Sequence, residues 1–213
     1  MIKRIIAKLK RITNDIARKK INKKLIKRLK NTNMTLISSN CNGGILLHDL
    51  KCKFNSPFVN LFLKAEDYIK LLENFESYMN REVQFIESEQ RNYPVGKLGD
   101  ISLHFLHYKN KEEAYEKWNL RKQRIDMSNF FIIFTDRDGC NKELLVRFEN
   151  LPYKNKVVFV HNPMPEIKSS FYIKGFENKE FVGALYEYKG WNGKKYYDEF
   201  DFVSWFNIAV EEK

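Results

Sequence analysis

Apolar residues follow one period in the first part of this chain and another in the rest. In residues 1–30 they recur at helical steps of three and four, with a single step of five between Ile16 and Ile21. Lysine and arginine fill most other positions, a pattern typical of a basic amphipathic helix. The polar triplet at residues 31–33 ends the pattern. Residues 1–30 are therefore predicted to form a helical extension.

From residue 34 onward, short apolar runs alternate with amphipathic helical patterns. The predicted strands lie at residues 34–39, 57–63, 83–87, 100–108, 130–134 and 156–161, and the helices at 45–50, 65–80, 111–124, 141–151 and 198–210. Strands that alternate with helices of about ten to fifteen residues are typical of βαβ units. We therefore predict one α/β domain over residues 34–210, with a Rossmann-like, mostly parallel sheet flanked by helices.

The charge of the chain is concentrated in its first segment. The formal net charge is +11. Residues 1–30 contain 13 Lys/Arg and one acid, a net charge of +12, whereas the rest of the chain contains 25 bases and 26 acids. The predicted domain is therefore close to neutral, and the net positive charge of the chain belongs to the helix.

The basic helix allows three interpretations. Residues 1–30 could lie on an anionic membrane surface, where each basic residue contributes about 1 kcal/mol. They could instead dock on their own domain or on a partner helix. A nucleic-acid partner is the least favoured, because no aromatic residue is interleaved with the bases to stack on nucleotides.

Cysteine usage and hydropathy bear on location. The three cysteines, Cys41, Cys52 and Cys140, form no CxxC pair, so a zinc ribbon or a disulfide framework is poorly supported. The first residues lack the uninterrupted apolar core of a secretory signal, and no apolar stretch approaches the roughly 20 residues that span a bilayer. We expect a cytoplasmic protein, held peripherally on the inner face of the plasma membrane if its basic helix binds lipid.

Six segments, taken together, resemble one bacterial family. They are SSNCNGGILLHDL, SPFVNLFLKAEDYIKLLENF, YPVGKLGDISLHFLHYKNKEEAYEKWNLRKQRI, FIIFTDRDGC, LPYKNKVVF and YYDEFDFVSWFN. Over about residues 34–207 the chain resembles the bacterial exopolysaccharide biosynthesis proteins, whose domain is formally of unknown function. The resemblance implies a role in exopolysaccharide or capsule assembly, with a nucleotide sugar or sugar phosphate as the bound partner.

Two aspartates, Asp136 and Asp138, follow the apolar run at residues 130–134. Ligands of α/β sheets bind beyond the carboxyl ends of the strands, and two carboxylates one residue apart can share Mg²⁺ or Mn²⁺. The stretch looks like the Asp-any-Asp motif of nucleotide-sugar glycosyltransferases. We predict Asp136 and Asp138 as metal ligands, with Asp138 also catalytic. The alternative is a turn that caps the helix starting near Asn141, with Gly139 supplying a positive φ.

A second candidate is the turn Asn-Cys-Asn-Gly-Gly. Glycines at a strand-to-helix turn permit close approach to a phosphate at the helix N-terminus, so the predicted substrate-binding residues are Asn40, Cys41, Gly43 and Gly44. The same position would lower the pKa of the Cys41 thiol and make it a nucleophile. The alternative is a tight turn with a small buried thiol.

Histidines supply the candidate bases. His104 and His107 stand three apart on a strand-like stretch and should face opposite sides, so one of them is expected to line the cleft as a catalytic base. His161, after the apolar run at residues 156–160, and Lys174 are weaker candidates.

Two arginines supply candidate positive charge for a phosphate. Arg121 and Arg124 follow Trp118 at steps of three along a predicted helix, so the three side chains can share one broad face. The planar guanidinium binds phosphate bidentately. The alternative is an ordinary solvated face that Trp118 anchors in the core.

These patterns together predict a sugar transferase that resembles glycosyltransferases and uses a nucleotide-sugar donor at the inner membrane face. One alternative is a Cys41-dependent hydrolase or acyl transferase acting on a polysaccharide precursor. Another is a non-catalytic adaptor recruited to the membrane by residues 1–30.

Overall fold

The computed structural model describes residues 2–87 and 91–211, and the side chains of residues 4–87 and 91–210. The predicted helix at residues 1–30 therefore begins with a residue, Met1, that lies outside the described part. In chain order the helices and strands are α1 (Ile2–Arg28), β1 (Thr35–Ser38), α2 (Cys41–Asp49), α3 (Ala65–Glu73), α4 (Phe75–Met79), β2 (Gln84–Ile86), β3 (Val95–Leu98), β4 (Ile101–His104), α5 (Lys111–Lys122), β5 (Phe130–Thr135), α6 (Lys142–Asn150), β6 (Lys156–Val160), β7 (Ser170–Tyr172) and α7 (Phe202–Glu211).

A parallel sheet of four strands forms the centre, in the order β1-β5-β6-β7. All six residues of β5 are buried, because apolar side chains cover both faces of the strand. Phe130, Ile132 and Phe134 pack into a core with α3, α4 and α6, whereas Phe131 and Ile133 pack into a second core with α2 and α7. The predicted α/β fold, with a parallel sheet flanked by helices, is confirmed.

Several local predictions were wrong. Residues 57–63 do not form a strand: Asn60 has a positive φ of 62°, which breaks an extended chain, and Phe62 forms only an isolated bridge with His104. The strands β3 and β7 were not predicted. β3 pairs with β2 and β4 in a small antiparallel sheet beside the main one.

The irregular segment at residues 55–63 runs along the outer edge of β1. The Ser56 hydroxyl donates to the carbonyl of Leu36 at 2.6 Å, and the peptide N–H of Leu63 donates to the carbonyl of Ser39 at 3.0 Å. These bonds use polar backbone groups that an edge strand otherwise leaves open. The segment thus lies where a fifth strand would lie, but it contacts β1 through separate hydrogen bonds instead of a strand ladder.

The second half of α1 docks on its own domain. Arg18 is 4% exposed, and its guanidinium donates to the carboxylates of Asp49 at 3.2 Å and Asp198 at 2.5 Å. Asn14, 1% exposed, bonds the backbone of Gly190 and Gly193. This half of the helix is therefore part of the folded domain, as one of the three interpretations proposed.

No helix within the described residues is both long enough and apolar enough to cross a membrane. In α1 the charged residues recur at every turn, so its 27 residues have the length of a bilayer span without the apolarity.

Candidate functional site

The carboxyl ends of β1, β5 and β6 bring three loops to one edge of the parallel sheet. The loop after β1 carries Asn40, which precedes Cys41 at the start of α2; the loop after β5 carries residues 136–138, and the loop after β6 starts with His161. Ligands of parallel α/β sheets bind at such an edge. Side chains distant in sequence therefore meet where chemistry is expected.

Asp136 accepts three hydrogen bonds with its carboxylate and is 7% exposed. One oxygen receives the peptide N–H of His161 at 2.7 Å and lies 2.5 Å from Nδ1 of the same residue. The other oxygen receives the peptide N–H of Val182 at 2.8 Å. The carboxylate thus holds both the backbone and the ring of His161 in place.

The pairing decides which ring nitrogen of His161 is available. A carboxylate accepts, so Nδ1 carries the proton toward Asp136, and Nε2 is left as the acceptor in the neutral ring. The His161 side chain is 18% exposed, and the carboxylate behind it is 4% exposed. A buried carboxylate behind a partly exposed imidazole is the arrangement of a general base, since the carboxylate orients the ring and stabilises its protonated form.

Asp138 faces different partners from Asp136. Its carboxylate lies 3.5 Å from Nε of Arg137, and its backbone carbonyl accepts from the peptide N–H of Ala65 at 3.0 Å. Burial raises the pKa of the Asp138 carboxyl, and the Arg137 charge and a hydrogen bond from Asn40 oppose that shift only in part. Asp138 also has a positive φ of 61°, a conformation that Asp and Asn tolerate best among residues other than glycine.

The predicted metal site does not gain support from this geometry. Both oxygens of Asp136 are engaged with N–H groups, whereas Asp138 pairs with Arg137. Among the residues described, no three His, Cys, Asp or Glu side chains cluster as a metal site would require. A shared Mg²⁺ or Mn²⁺ stays a prediction. The cap of α6 is supplied by Asn141, whose side chain accepts from the N–H of Leu144 at 2.9 Å.

The turn after β1 is built for close packing. The Asn40 side chain accepts from the N–H of Asn42 at 3.2 Å, which caps α2, and donates to the Thr135 hydroxyl at 2.9 Å. A Cβ on Gly43 would lie 2.6 Å from the Cβ of Ser38, and one on Gly44 would lie 3.3 Å from the Val59 side chain. Packing of α2 accounts for both glycines, and the predicted substrate contact at Gly43 and Gly44 stays a prediction.

The prediction for the Cys41 thiol was wrong in sign. Burial raises the pKa of Cys41, and the nearby Arg137 charge lowers it only in part. The helix N-terminus was expected to lower this pKa, but the thiol is half-buried beside the Asp138 carboxyl, which also raises it. A protonated thiol at neutral pH is a poor nucleophile.

The two predicted histidines lie away from the Asp136–His161 pair. His104, 4% exposed, stacks on Phe62 at 4.5 Å, and burial together with the Arg91 charge lowers its pKa to about 4. His107 is exposed, in a turn that follows β4. The prediction that they face opposite sides of one strand was wrong, because β4 ends at His104 and His107 lies beyond it. Among the described residues, no hydrogen bond or ring contact joins either histidine to His161. A neutral ring with so low a pKa is a weak base at neutral pH.

The two predicted phosphate-binding arginines are bonded within the protein. Arg121 donates to the Tyr108 hydroxyl at 2.8 Å and stacks over the Phe54 ring at 5.3 Å. Arg124 donates to the carbonyl of Phe54 at 3.1 Å. The alternative is right that the buried Trp118 anchors α5 in the core. It is wrong about a solvated face, because both arginines are half-buried and bonded within the protein.

Arg137 was not predicted as a site residue, and His161 was only a weaker candidate. The Arg137 guanidinium lies 5.7 Å from the ring centroid of Phe181, whose neighbour Val182 bonds Asp136. The Arg137 Nε is buried and makes no hydrogen bond within the described residues. Two signals were available: His161 follows β6 as Asp136 follows β5, and β5 and β6 are adjacent apolar strands.

The cavities do not all coincide with this chemistry. One cavity of about 720 Å³ lies near the amino ends of β5 and β6, where Phe75, Ile125 and Tyr153 line it. A smaller one, about 370 Å³, is formed by the segment that contacts Arg137, with Phe176, Lys179 and Phe181 in its lining. We place the site at the carboxyl edge because the oriented imidazole lies there; the larger cavity has a mixed lining of apolar and polar side chains.

The comparisons with known proteins identify a family but no function. Residues 12–207 match the model of a domain of unknown function, DUF1919. A protein of Haemophilus influenzae, described as an uncharacterized protein, is 50% identical over 202 residues, which are 95% of this chain and 98% of the relative. The family match begins within α1, earlier than the segments at residues 34–207 suggested, which agrees with the docking of the second half of that helix.

Proposed function

The chain belongs to the DUF1919 family, and we propose that it is a transferase of exopolysaccharide or capsule assembly that uses a nucleotide-sugar donor. The observation that carries the proposal is the Asp136–His161 pair at the carboxyl edge of the sheet. The polysaccharide context comes from the sequence segments that resemble exopolysaccharide biosynthesis proteins. The site itself supports transfer to a hydroxyl group, because an oriented neutral imidazole can remove the hydroxyl proton.

In the proposed reaction, His161 acts on an acceptor sugar. Its Nε2 takes the proton of the acceptor hydroxyl, while that oxygen forms a bond to the anomeric carbon of the donor. The bond from this carbon to the donor phosphate breaks, and the diphosphate leaves with the electron pair. Asp136 stabilises the imidazolium that results, since its carboxylate is buried against Nδ1.

Arg137 is the proposed contact for the donor phosphates. Its guanidinium borders the Asp136–His161 pair through Phe181 and Val182, and its side chain is 30% exposed. A guanidinium at this position neutralises charge that develops on the leaving group. The small cavity beside it offers the rings of Phe176 and Phe181, while the charge of Lys179 is offset by Glu180 in the same lining.

The Cys41-dependent hydrolase or acyl transferase is the second candidate, and the site supports it less well. The raised pKa of the Cys41 thiol disfavours the thiolate that a nucleophile requires. If it operated, alkylation of Cys41 would abolish activity. The transferase proposal predicts that a Cys41→Ser variant keeps most of its activity.

The test is a panel of nucleotide sugars, screened by thermal shift and by mass spectrometry of products, with and without Mg²⁺ or Mn²⁺. A ligand at 100 times its Kd should add about 2.7 kcal/mol to the stability. With the active donor, His161→Gln should bind as the wild type does and lose turnover by about 100-fold or more. His107→Gln, which alters an exposed histidine, is the matched control and should keep full turnover.

Two results would contradict the proposal. A His161→Gln variant that binds the donor and turns it over at the wild-type rate would exclude His161 as the base. A wild-type protein that is folded but binds no member of the panel would favour the adaptor. The screens with Mg²⁺ or Mn²⁺ test the metal prediction separately, because the cation changes donor binding only if the protein and the donor share it.

A further inference from the structure

Four apolar side chains of α1 face solvent in a row. Ile5, Leu9, Ile12 and Ile16 are 52%, 53%, 45% and 56% exposed. Their spacings of four, three and four residues keep them within an arc of about 60° on the helix surface, at 100° per residue. Single exposed apolar residues are ordinary, but an aligned stripe marks an interaction surface.

The step of five between Ile16 and Ile21 explains why this stripe is uncovered. Five residues turn the helix by about 140°, so the apolar positions move from one side of α1 to the other. After the step, Leu25 and Leu29 pack into the core with α2 and α7. The stripe before the step therefore points away from the domain on which the helix docks.

The outward side of α1 continues from the stripe into a basic cleft. A cavity of about 550 Å³ lies between α1 and α2, with Lys19, Lys23, Lys27 and Lys51 among its lining residues. The acid in this lining, Asp49, is already paired with Arg18 and Lys195. The cleft is therefore positively charged, and Lys19 and Lys23 begin within one or two turns of Ile16.

An exposed tryptophan lies beside the same helix. Trp191 is 55% exposed, and the Lys10 ammonium lies 5.9 Å from its ring centroid. The loop that carries Trp191 is fixed to α1, because Asn14 bonds the backbone of Gly190 and Gly193. Lys10 and Asn14 are turned by about 130° and 170° from the centre of the stripe, so Trp191 lies on the other side of α1 and is not part of the striped surface.

We propose that this surface of α1, made of the apolar stripe and the lysine cleft, binds an anionic phospholipid membrane. The stripe would enter the boundary between headgroups and acyl chains, and the lysines would meet the lipid phosphates. A second copy of the chain is a less suitable partner for this surface, because the lysines of the two copies would then repel each other. The inference is independent of the proposed transferase activity, because it involves none of the residues at the sheet edge.

The test uses the full chain and vesicles of phosphatidylglycerol with phosphatidylcholine, compared with phosphatidylcholine alone. The wild type should co-sediment with the anionic vesicles and less so as salt rises. Leu9→Gln/Ile12→Gln should lower the partition coefficient by about tenfold or more, because two apolar side chains no longer enter the membrane. Lys19→Gln/Lys23→Gln should lower it on anionic vesicles only.

The matched control is Leu120→Gln/Val146→Gln, which changes two helical residues of similar exposure, 44% and 42%, on α5 and α6. It should bind as the wild type does. Equal binding by Leu9→Gln/Ile12→Gln and the wild type would overturn the proposal. A wild-type dimer that the same variant converts to a monomer, with vesicle binding unchanged, would overturn it in favour of a second copy.

Discussion

Two buried carboxylates, Asp49 and Asp136, show how similar groups take different roles. Asp49 accepts from Arg18 at 3.2 Å and Lys195 at 2.7 Å, and from the Tyr197 hydroxyl. Asp136 accepts from two peptide N–H groups and from one imidazole, that of His161. In the Asp49 network the carboxylate bonds permanently charged side chains, and we call this network closed. The Asp136 network ends at the His161 ring, whose Nε2 can exchange a proton. The first therefore suits stability and the second suits catalysis.

The largest expected effect is the loss of stability on breaking the closed network. Asp49→Ala should cost about 3–5 kcal/mol of unfolding free energy, because Lys195 would be buried without its carboxylate partner and Arg18 would keep only its pair with Asp198. The hydrogen bonds and nearby cations lower the pKa of Asp49. The wild-type advantage should therefore be complete above the ordinary pKa of about 4 and disappear as pH falls through the lowered value.

Urea unfolding at several pH values measures this difference. Glu166→Ala is the control, because the Glu166–Lys142 pair is more than half exposed and should contribute little to stability. Equal losses for the two variants would mean that the Asp49 network is not a closed structural unit.

The second expected effect is a smaller loss of stability that is accompanied by a loss of turnover. Asp136→Asn should cost about 1–3 kcal/mol, because the amide cannot accept all three N–H groups and its own NH₂ opposes one of them. Turnover should fall with it, since the His161 ring loses its orienting acceptor. The comparison of interest is stability against turnover in the same sample. If Asp136→Asn loses stability and keeps turnover, the two carboxylates are alike after all.

The smallest effect has the opposite sign. Asp138→Asn should raise the stability at pH 7 by about 0.5–1 kcal/mol, because burial disfavours the Asp138 carboxylate and asparagine accepts the same positive φ. Since the pKa of Asp138 is raised in the folded protein, the gain should vanish at acid pH, where the carboxyl is protonated in both states. A loss of stability at pH 7 would show that the ion pair with Arg137 outweighs burial.

The main features of the fold were predictable because they follow from periodicity. The apolar runs of β5 and β6 identified the central strands, and the helical spacing identified α5 and α6 with ends within a few residues. The single helix predicted at residues 65–80 is instead divided at Asn74 into α3 and α4. β7 was not predictable, because its three residues carry no period and pair only with β6. The irregular course at residues 57–63 depends on a positive φ at Asn60 that no apolar pattern shows.

The candidate site was predictable only in part. The loop at residues 136–138 and the turn at Asn40 were correctly placed at strand ends. What the pattern could not show is the direction of each side chain: Asp136 turns toward His161, whereas Asp138 turns toward Arg137. The pKa of Cys41 was predicted from the helix N-terminus alone, but burial of the thiol, which only packing reveals, decides its sign.

The course of residues 55–63 along β1 bears on how the chain avoids self-association. β1 pairs only with β5, and a strand with a free side can recruit a strand from another molecule. Ser56 and Leu63 already bond the carbonyls of Leu36 and Ser39 at the ends of that free side. A strand from another molecule would have to displace both bonds first. The segment therefore gives the open edge of the sheet a guard against intermolecular β-pairing and aggregation.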